Sequence, residues 1–230
     1  MDSTELGRRV DRLAREHVEY RRARLLEADL PVDPLPLFDQ WLADAFAIRD
    51  GMLDLAADLL WLEPTAMTVS TIADGRPRSR NVLLKHRDER GFVFFTNYQS
   101  DKGRELAARP EVALHLAWTP LQRQVRIEGV AGRVDRDESV AYFATRPRGS
   151  QLGAWASAQS RPVTEQELAT SYATVEARFE GREVPCPDHW GGFVVEPHTI
   201  EFWQGRPDRM HDRIRFRRRG VGWHHERLAP

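Results

Sequence analysis

Apolar and polar residues alternate along much of the chain from Ala66 onwards, as expected for half-buried strands. The clearest of these runs cover residues 66–72, 79–86, 91–97, 111–118 and 124–134. The C-terminal part returns to strands, with WGGFVVEP and TIEFWQG interpreted as two separate ones. The strands are linked by short polar turns and show no βαβ rhythm. We therefore expect an α+β fold built on an antiparallel barrel of about seven strands.

Apolar residues at helical spacing predict helices on both sides of this strand region. In the N-terminal part we predict a charged helix over 4–27, a break at LPVDPLP (30–36), a helix over 37–47, and a helix or loop over 50–64. Further helices are predicted at 101–109 with Ser100 as N-cap, at 137–146 and at 164–181. Since no linker is visible, we expect one domain, with residues 1–64 as its helical extension and 65–230 as its main part.

Composition narrows the class of protein. The 230 residues carry a net charge of -1, which argues against a dedicated nucleic-acid binder. No apolar run approaches the ~20 residues that a membrane span needs, and the polar N-terminus does not resemble a signal peptide. The one cysteine, Cys186, fits a reducing compartment. We therefore expect a cytoplasmic protein without a membrane or nucleic-acid partner.

The chain holds 34 basic residues, of which only Lys85 and Lys102 are lysines. Lysine has a compact ammonium group, whereas arginine has a planar guanidinium. The use of lysine at only these two positions therefore indicates a functional role for them. Lys102 falls in the first turn of a predicted helix, where free amides already favour a phosphate. A solvated surface helix is the alternative interpretation.

A second cluster of polar residues occurs in YFATRPRGSQLGAWAS (142–157). Tyr142 and Arg146 are four residues apart, hence on one helical face, and Ser150 follows shortly afterwards. Two hydroxyls and a guanidinium can bind a phosphate through charge-assisted hydrogen bonds. A helix end with ordinary solvated arginines would have the same pattern.

The third cluster is EFWQGRPDRMHDRIRF (201–216), in which Arg209, His211 and Arg213 alternate. A strand would place all three on one face, where a bound anion or an electron-rich ring would explain them. A solvated face paired with acids is the alternative. No metal site is expected, because His224 and His225 have no further ligand at metal spacing.

Taken together, these stretches resemble the FMN-dependent pyridoxine (pyridoxamine) 5′-phosphate oxidases. The resemblance is carried by RNVLLKH (80–86), VFFTN (93–97), SDKG (100–103), RQV (123–125), YFATRPRGSQLGAWASAQS (142–160), WGGF (190–193) and EFWQGRPDRMHDR (201–213). The resemblance covers roughly residues 28–230, and the stretches 142–160 and 201–213 are its most specific part. The family fold implies an antiparallel six-stranded FMN-binding split barrel with surrounding helices, which works as a homodimer with FMN at the subunit interface.

The resemblance also implies roles for individual residues. The cofactor would be held by Arg80, Asn81, Val82, Leu83, Leu84, Lys85, Phe95, Thr96, Lys102, Gln124, Gln159, Ser160, Trp203 and Arg213. The substrate would contact Lys85, Tyr142, Arg146, Ser150, Arg209 and His211, with Tyr20 as a further contact. Of these, Arg209 and His211 would be catalytic.

The implied reaction is oxidation of pyridoxine or pyridoxamine 5′-phosphate to pyridoxal 5′-phosphate. A hydride passes from C4′ to flavin N5, and oxygen then reoxidises the flavin to give hydrogen peroxide. Two alternatives stay open: a related flavin oxidase of secondary metabolism acting on phenazine precursors, and a non-catalytic protein that binds flavin or pyridoxal phosphate. All four residues of the expected phosphate clamp, Lys85, Tyr142, Arg146 and Ser150, are present, which favours oxidation of the phosphorylated pyridines.

The sequence departs from the family pattern at a few positions. Asp101 stands where some members carry a base that helps to hold the FMN phosphate, and Phe95 replaces a tyrosine. His17 stands where an arginine is expected in the N-terminal part that closes over the substrate. Residues 48–62 form a longer connection than usual.

Overall fold

The computed structural model describes residues 20, 23–55 and 62–230. It confirms the expected α+β class. The described part has five α-helices: α1 (Pro34–Leu55), α2 (Asp101–Ala108), α3 (Arg136–Thr145), α4 (Arg148–Ala156) and α5 (Glu165–Arg178). Its nine strands are β1 (Ala66–Ala73), β2 (Arg76–Leu83), β3 (His86–Asp88), β4 (Gly91–Asn97), β5 (Glu111–Trp118), β6 (Arg123–Arg133), β7 (Trp190–Gln204), β8 (Asp212–Arg219) and β9 (Gly222–Arg227).

All nine strands belong to one antiparallel sheet. Their order is β2-β1-β5-β6-β7-β4-β3, and β8 pairs with both β7 and β9 off this path. Strand β7 pairs with β4 through its first half and with β8 through its second half, while β6 lies along its other side. Strands β2 and β3 stand at the two ends of the path, although only Leu84 and Lys85 separate them in the chain.

The main hydrophobic core lies on one face of this sheet and is covered by α1. Phe38 of α1 packs edge-on against Phe92 with ring centroids 4.9 Å apart, and Trp41 packs against Phe202 at 5.2 Å. Alternation along β5, where every second residue is buried, reflects the period of two that the sequence shows. The helix that follows the N-terminal segment is therefore part of the same core as the sheet.

A smaller hydrophobic cluster joins the helices α3, α4 and α5 to the start of β7. Its buried members include Phe143, Leu152, Val175 and Trp190. Thr164 caps α5 in a capping box with Glu167. This cluster fixes the α3–α4 segment beside the end of β4.

Several boundaries differ from the sequence prediction. The helix predicted from residue 37 begins at Pro34, because a proline in the first helical turn lacks only an amide that has no partner there. The helix continues to Leu55, so the first part of the segment 50–64, for which a helix or a loop was expected, is helical. The two separate strands predicted in WGGFVVEP and TIEFWQG are one strand, and α4 was not predicted.

The N-terminal prediction is largely outside the described residues. Most of the helix over 4–27 lies there, as does His17. Residues 23–26, at its predicted end, have no regular structure, and Glu27–Asp29 forms a 3-10 turn. None of the helices in the described part of the chain is long and apolar enough to cross a membrane.

Candidate active site

A cavity of about 640 Å³ lies between the ends of β2 and β4, the start of α2 and the α3–α4 segment. This volume falls in the range of small-molecule and cofactor sites. Its lining contains many of the predicted site residues: Asn81, Val82, Leu83, Lys85, Phe95, Thr96, Lys102, Tyr142, Arg146, Ser150 and Gln159. The expected cofactor and substrate-phosphate residues thus meet in one place.

Lys102 is a buried cation at the base of this cavity, with 8% of its surface exposed. Its position is set by α2, whose N-cap Ser100 accepts a hydrogen bond from the Gly103 amide. The Lys102 ammonium donates to Thr96 Oγ1 and Ser100 Oγ, both at 3.1 Å, and to Gln159 Oε1 at 3.2 Å. All three acceptors are neutral, and burial together with nearby Arg80 lowers the pKa of Lys102. An anion in the cavity would balance this charge.

Arg146 lies at the C-terminal end of α3, with its guanidinium 4.6 Å from the centre of the Trp190 ring. Its Nη1 is buried and has no hydrogen-bond partner among the residues that the structure describes. Burial lowers the pKa of Arg146. Since a buried, unpaired donor is costly, this nitrogen indicates a site for an anionic ligand.

The other members of the predicted clamp surround Arg146. Tyr142 stacks on Phe95 with ring centroids 4.0 Å apart, and burial raises the pKa of its hydroxyl, which therefore stays protonated and can donate. Ser150 and Lys85 line the same cavity. Two hydroxyls, an ammonium and a guanidinium are the donor set that a phosphate monoester requires.

Three predicted cofactor residues lie around the cavity without lining it. Arg80 is held by Glu105, at 2.6 Å from Nη2, and by Thr71. Leu84 is buried in the core. Ser160 accepts a hydrogen bond from the Asp101 amide at 3.2 Å.

Asp101, which departs from the family pattern, does not line the larger cavity. The carboxylate pairs with Arg104, three residues further along α2. Its side chain is about half exposed, so its negative charge is partly screened by water.

A second cavity, of about 270 Å³, contains the remaining predicted cofactor residues Gln124, Trp203 and Arg213. Gln124 Oε1 lies 3.1 Å from His115 Nε2. The Arg213 Nε donates at 2.8 Å to Glu201, a buried carboxylate. On a single protomer, the predicted cofactor site is therefore divided between two cavities.

Arg209, His211 and Tyr20 form a group beside this second cavity. The His211 ring lies 4.6 Å from the Trp203 ring, and Tyr20 lies 5.7 Å from both. Tyr20 approaches the backbone so closely that a Cβ at Gly205 would lie 2.8 Å from its ring. Burial and the neighbouring Arg209 lower the pKa of His211, so its ring is neutral at pH 7.

The segment that leads away from Tyr20 is tied to the C-terminal strands. Arg227 in β9 pairs with Glu27 and with Asp212, and its Nη2 donates to the Leu25 carbonyl at 2.7 Å. The Leu25 amide in turn donates to Asp212 at 3.0 Å. These bonds fix residues 25–27 against β8 and β9.

The prediction that Arg209, His211 and Arg213 share one strand face is wrong. Residues Pro207–Arg209 form a 3-10 turn, and Asp208 and Arg209 have positive φ values of 55° and 59°. Strand β8 begins only at Asp212, so Arg213 alone follows the alternation.

Sequence reasoning did not assign a role to several residues that line the two cavities. In the larger cavity these include Asn97, Thr145, Ser157 and Trp190, and in the smaller one His115, Arg126 and Glu201. Trp190 falls in the WGGF motif, which was the available signal. Cross-strand partners such as Arg126 and Glu201 depend on register, which the sequence does not show. In the part of the chain that the structure describes, no group of three His, Cys, Asp or Glu could hold a metal ion.

Comparison with known proteins is consistent with this geometry. The family model for pyridoxamine 5′-phosphate oxidase matches residues 53–180, and that for the pyridoxine 5′-phosphate oxidase C-terminal dimerisation region matches residues 190–230. A pyridoxine/pyridoxamine 5′-phosphate oxidase of Rubrobacter xylanophilus is 53% identical over 214 residues, which are 92% of this chain and 94% of that protein. One from Thermosynechococcus vestitus is 52% identical over 223 residues, 96% and 100% of the two chains.

Among solved structures, PhzG from Burkholderia lata, in complex with tetrahydrophenazine-1-carboxylic acid, matches with a TM-score of 0.78 at 31% identity. The match covers 91% of this chain and 100% of that one. Both family models describe phosphate oxidases, and the two phosphate oxidases named above are more similar in sequence to this chain than PhzG is. The chain belongs to the pyridoxamine 5′-phosphate oxidase family.

Proposed function

We propose that this protein oxidises pyridoxine 5′-phosphate and pyridoxamine 5′-phosphate to pyridoxal 5′-phosphate, with FMN as cofactor and oxygen as electron acceptor. The observation that carries the proposal is the buried, unpartnered Nη1 of Arg146 in a cavity shared with Lys85, Tyr142 and Ser150. These four side chains bind the phosphate of the substrate. A site built for a substrate without a phosphate gains nothing from leaving that guanidinium unpaired.

The larger cavity also fits the FMN that the family uses. Lys102 is buried, has no carboxylate partner among the residues that the structure describes, and balances the negative charge of the FMN phosphate. Thr96 and Gln159 hold that ammonium, and β2 contributes Asn81, Val82 and Leu83 to the cavity wall. When bound, FMN would supply a hydride acceptor for the C4′ carbon and a route for the electrons to oxygen.

The tautomer of His211 decides what it does in the reaction. Its Nδ1 accepts a hydrogen bond from the Arg206 amide at 3.1 Å, so the neutral ring carries its proton on Nε2. That N–H donates to an oxygen of the substrate and stabilises negative charge there. In this arrangement Nε2 does not act as the base, and the permanent charge of Arg209 adds to the stabilisation.

The pairing pattern supports a closed six-stranded barrel within the nine-stranded sheet. If β2 and β3 count as one strand bent at Leu84 and Lys85, the path runs β2/β3-β1-β5-β6-β7-β4 and returns to its start. The Lys85 amide donates to the Val93 carbonyl at 2.9 Å across this junction. Strands β8 and β9 then lie outside the barrel, and the N-terminal residues 1–64 extend the same domain.

The division of the site between two cavities supports a homodimer with FMN at the subunit interface. The larger cavity of one protomer would face Gln124, Trp203 and Arg213 of the partner subunit, with the partner subunit's His211 over the substrate. The C-terminal match to a dimerisation region agrees with this assembly. With one cysteine, half-buried and unpaired, the protein fits the cytoplasm.

A phenazine-type oxidase is the second candidate, because PhzG matches most of this chain. The intact phosphate clamp argues against it. A protein that binds flavin or pyridoxal phosphate without turnover is the third candidate. It would not need Arg209 and His211 beside the pyridine ring of the ligand.

The test is direct assay of the purified protein reconstituted with FMN. Mixed in air with pyridoxine 5′-phosphate, it should produce pyridoxal 5′-phosphate and hydrogen peroxide in equal amounts. A protein that retains FMN but makes neither product, with pyridoxamine 5′-phosphate also tried, would rule out the proposal. Oxidation of tetrahydrophenazine-1-carboxylic acid, the compound bound in the PhzG structure, by that same preparation would move the second candidate to first place.

A further inference from the structure

The Arg146 guanidinium lies over the Trp190 indole. The guanidinium carbon lies 4.6 Å from the Trp190 ring centre and 5.5 Å from that of Phe143. We propose that Trp190 is a positioning residue: it holds Arg146 in place for the substrate phosphate and so sets the preference for phosphorylated over unphosphorylated pyridines. This inference rests on the proposed function and deepens it.

Arg146 needs such a support because no ion pair fixes it. Most other arginines of the cavity walls and strands are anchored by carboxylates, as Arg80 is by Glu105 and Arg213 by Glu201. Within the described residues, Arg146 has no carboxylate partner within 4.0 Å, and its Nη1 is buried without an acceptor. A carboxylate would fix it more firmly but would compete with the phosphate. An aromatic face attracts the cation and leaves its N–H groups free.

Trp190 is itself rigidly held. It is the first residue of β7, only 6% exposed, and its carbonyl accepts a hydrogen bond from Arg136 Nη1 at 2.9 Å. Its amide donates to the Pro187 carbonyl at 3.0 Å. The backbone on both sides of the ring is therefore fixed, and the ring can serve as a platform.

The same ring also supports the second member of the clamp. Phe95 lies nearly parallel to Trp190, with centroids 5.5 Å apart and an angle of 11°, and Tyr142 lies at 6.2 Å and 9°. Phe95 in turn stacks on Tyr142. One indole thus orients both a guanidinium and a phenol that bind the same phosphate.

The experiment compares Trp190→Leu with Trp155→Leu. Trp155 is the matched control, because Arg178 lies 5.0 Å from its ring in an equivalent stack that does not line the cavity. For FMN-loaded Trp190→Leu we expect a KM for pyridoxine 5′-phosphate raised about tenfold, with kcat changed less than twofold. Trp155→Leu should leave both constants unchanged. An unchanged KM in Trp190→Leu would overturn the proposal.

A double substitution tests whether Trp190 acts through Arg146. In the Arg146→Ala background, Trp190→Leu should raise KM by a clearly smaller factor than in the wild-type background, because only its support of Tyr142 is then left to lose. An additional rise as large as in the wild-type background would show an independent effect and contradict the proposal. If Trp190→Leu does not fold, Trp190→Phe keeps a smaller ring and should raise KM in the same direction by a smaller factor.

Binding measurements separate this inference from the proposed function. Titration calorimetry of the FMN-loaded protein should show pyridoxal 5′-phosphate binding weakened about tenfold by Trp190→Leu, while pyridoxal binding is unchanged. Equal weakening of both ligands would indicate a general structural role and overturn the inference. If the wild-type protein proves inactive, inorganic phosphate replaces pyridoxal 5′-phosphate as the probe. Loss of phosphate affinity on Trp190→Leu would then support the inference although the proposed activity had failed.

Discussion

At the scale of single residues, two cations distinguish the larger cavity from the rest of the surface. Most arginines of the described sheet, such as Arg126, Arg215 and Arg227, donate to carboxylates. Within the described residues, the Lys102 ammonium donates to neutral acceptors and the buried Nη1 of Arg146 has no acceptor. Surface ion pairs contribute little free energy, but a partly desolvated cation without a carboxylate partner binds an incoming anion strongly. We therefore expect these two residues to give the cavity its selectivity for phosphate groups.

Substitution of Arg146 by alanine should weaken substrate binding without loss of flavin. A charge-assisted hydrogen bond is worth about 1.5–3 kcal/mol, which corresponds to roughly a 10- to 100-fold rise in KM for pyridoxine 5′-phosphate. Arg148→Ala is the matched control, because the Arg148 guanidinium donates to the carbonyls of Phe179 and Arg182 outside the cavity. Release of FMN from Arg146→Ala, seen as flavin fluorescence in the filtrate, would instead assign Arg146 to the cofactor.

Arg209 should influence the pH below which kcat/KM falls, through its effect on the pKa of His211. Burial and the Arg209 charge both lower the pKa of His211, and the protonated ring can no longer accept the Arg206 amide at Nδ1. Activity should thus persist below pH 6.5, the ordinary histidine pKa, and fall as His211 becomes protonated. Arg209→Gln removes a positive neighbour, which raises the His211 pKa and moves this fall to higher pH. The check is kcat/KM against pH for both proteins; an unshifted acid limb would contradict it.

At the scale of elements, the start of α2 is fitted tightly against the turn that precedes it. A Cβ added at Gly103 would lie 2.3 Å from the Tyr98 carbonyl oxygen, so only glycine allows this approach. The contact fixes the first turn of α2, including Lys102 and the Ser100 cap. The turn after β4 therefore determines the position of Lys102, the proposed cofactor contact on this helix.

Gly103→Ala should displace this helix. We expect a loss of about 1–3 kcal/mol in the free energy of unfolding, as for other overpacked sites, together with weaker FMN retention. Gly132→Ala in β6 is the control, since a Cβ there meets nothing within 4 Å. Chemical denaturation and flavin fluorescence measure the two effects. An unfolding free energy equal to that of Gly132→Ala would show that the turn can move at no cost.

The elements also show which features the sequence could predict. Alternation located β1, β5 and β6 to within a few residues, because each buries every second side chain over most of its length. It divided β7 in two, since Pro197 usually ends a strand. Here Pro197 lies opposite Gly129 at a register shift, where its missing amide is tolerated. The positive-φ turn before β8 was also missed, because neither Asp208 nor Arg209 is a residue type that requires it.

Many residues of the candidate site were named from the sequence, but their arrangement was not. The resemblance and the spacing of Tyr142 and Arg146 named residues that line the larger cavity, and their roles there stay predictions. The separation into two cavities could not be foreseen, because it depends on which strands pair. Trp190 illustrates the same limit: its ring contacts Arg146, a residue 44 positions earlier in the sequence, only after α3 packs on β7.

At the scale of the whole molecule, a row of cross-strand pairs connects the two cavities. Asn81 lines the larger cavity and pairs with Thr68, which pairs in turn with His115 of the smaller cavity. Directly paired residues share a face of the sheet, so both cavities open on the same side. A two-fold axis near the middle of this row would bring the larger cavity of each protomer onto the smaller cavity of its partner.

Mixed dimers provide the test of this arrangement. With pyridoxine 5′-phosphate held far below its KM, Arg146→Ala should lower the rate through the larger cavity and Arg213→Ala through the smaller one, so each homodimer should show little activity in this assay. In a heterodimer both substitutions fall on one composite site and the other site is intact. Unfolding and refolding an equimolar mixture should thus restore about a quarter of the wild-type activity, given random association. If each active site belonged to a single chain, refolding would restore nothing.

The bonds between Arg227 and residues 25–27 also determine when this part of the molecule can form during synthesis. Their partners are about 200 positions apart in the sequence, so the early segment is synthesised long before β9 exists to receive it. At ordinary translation rates of 5–20 residues per second, the delay is about 10–40 s. During that interval Tyr20 has neither His211 nor Trp203 to pack on. A chain still on the ribosome can therefore complete strands β1 to β6 while the group of Tyr20, Trp203 and His211 is still unformed.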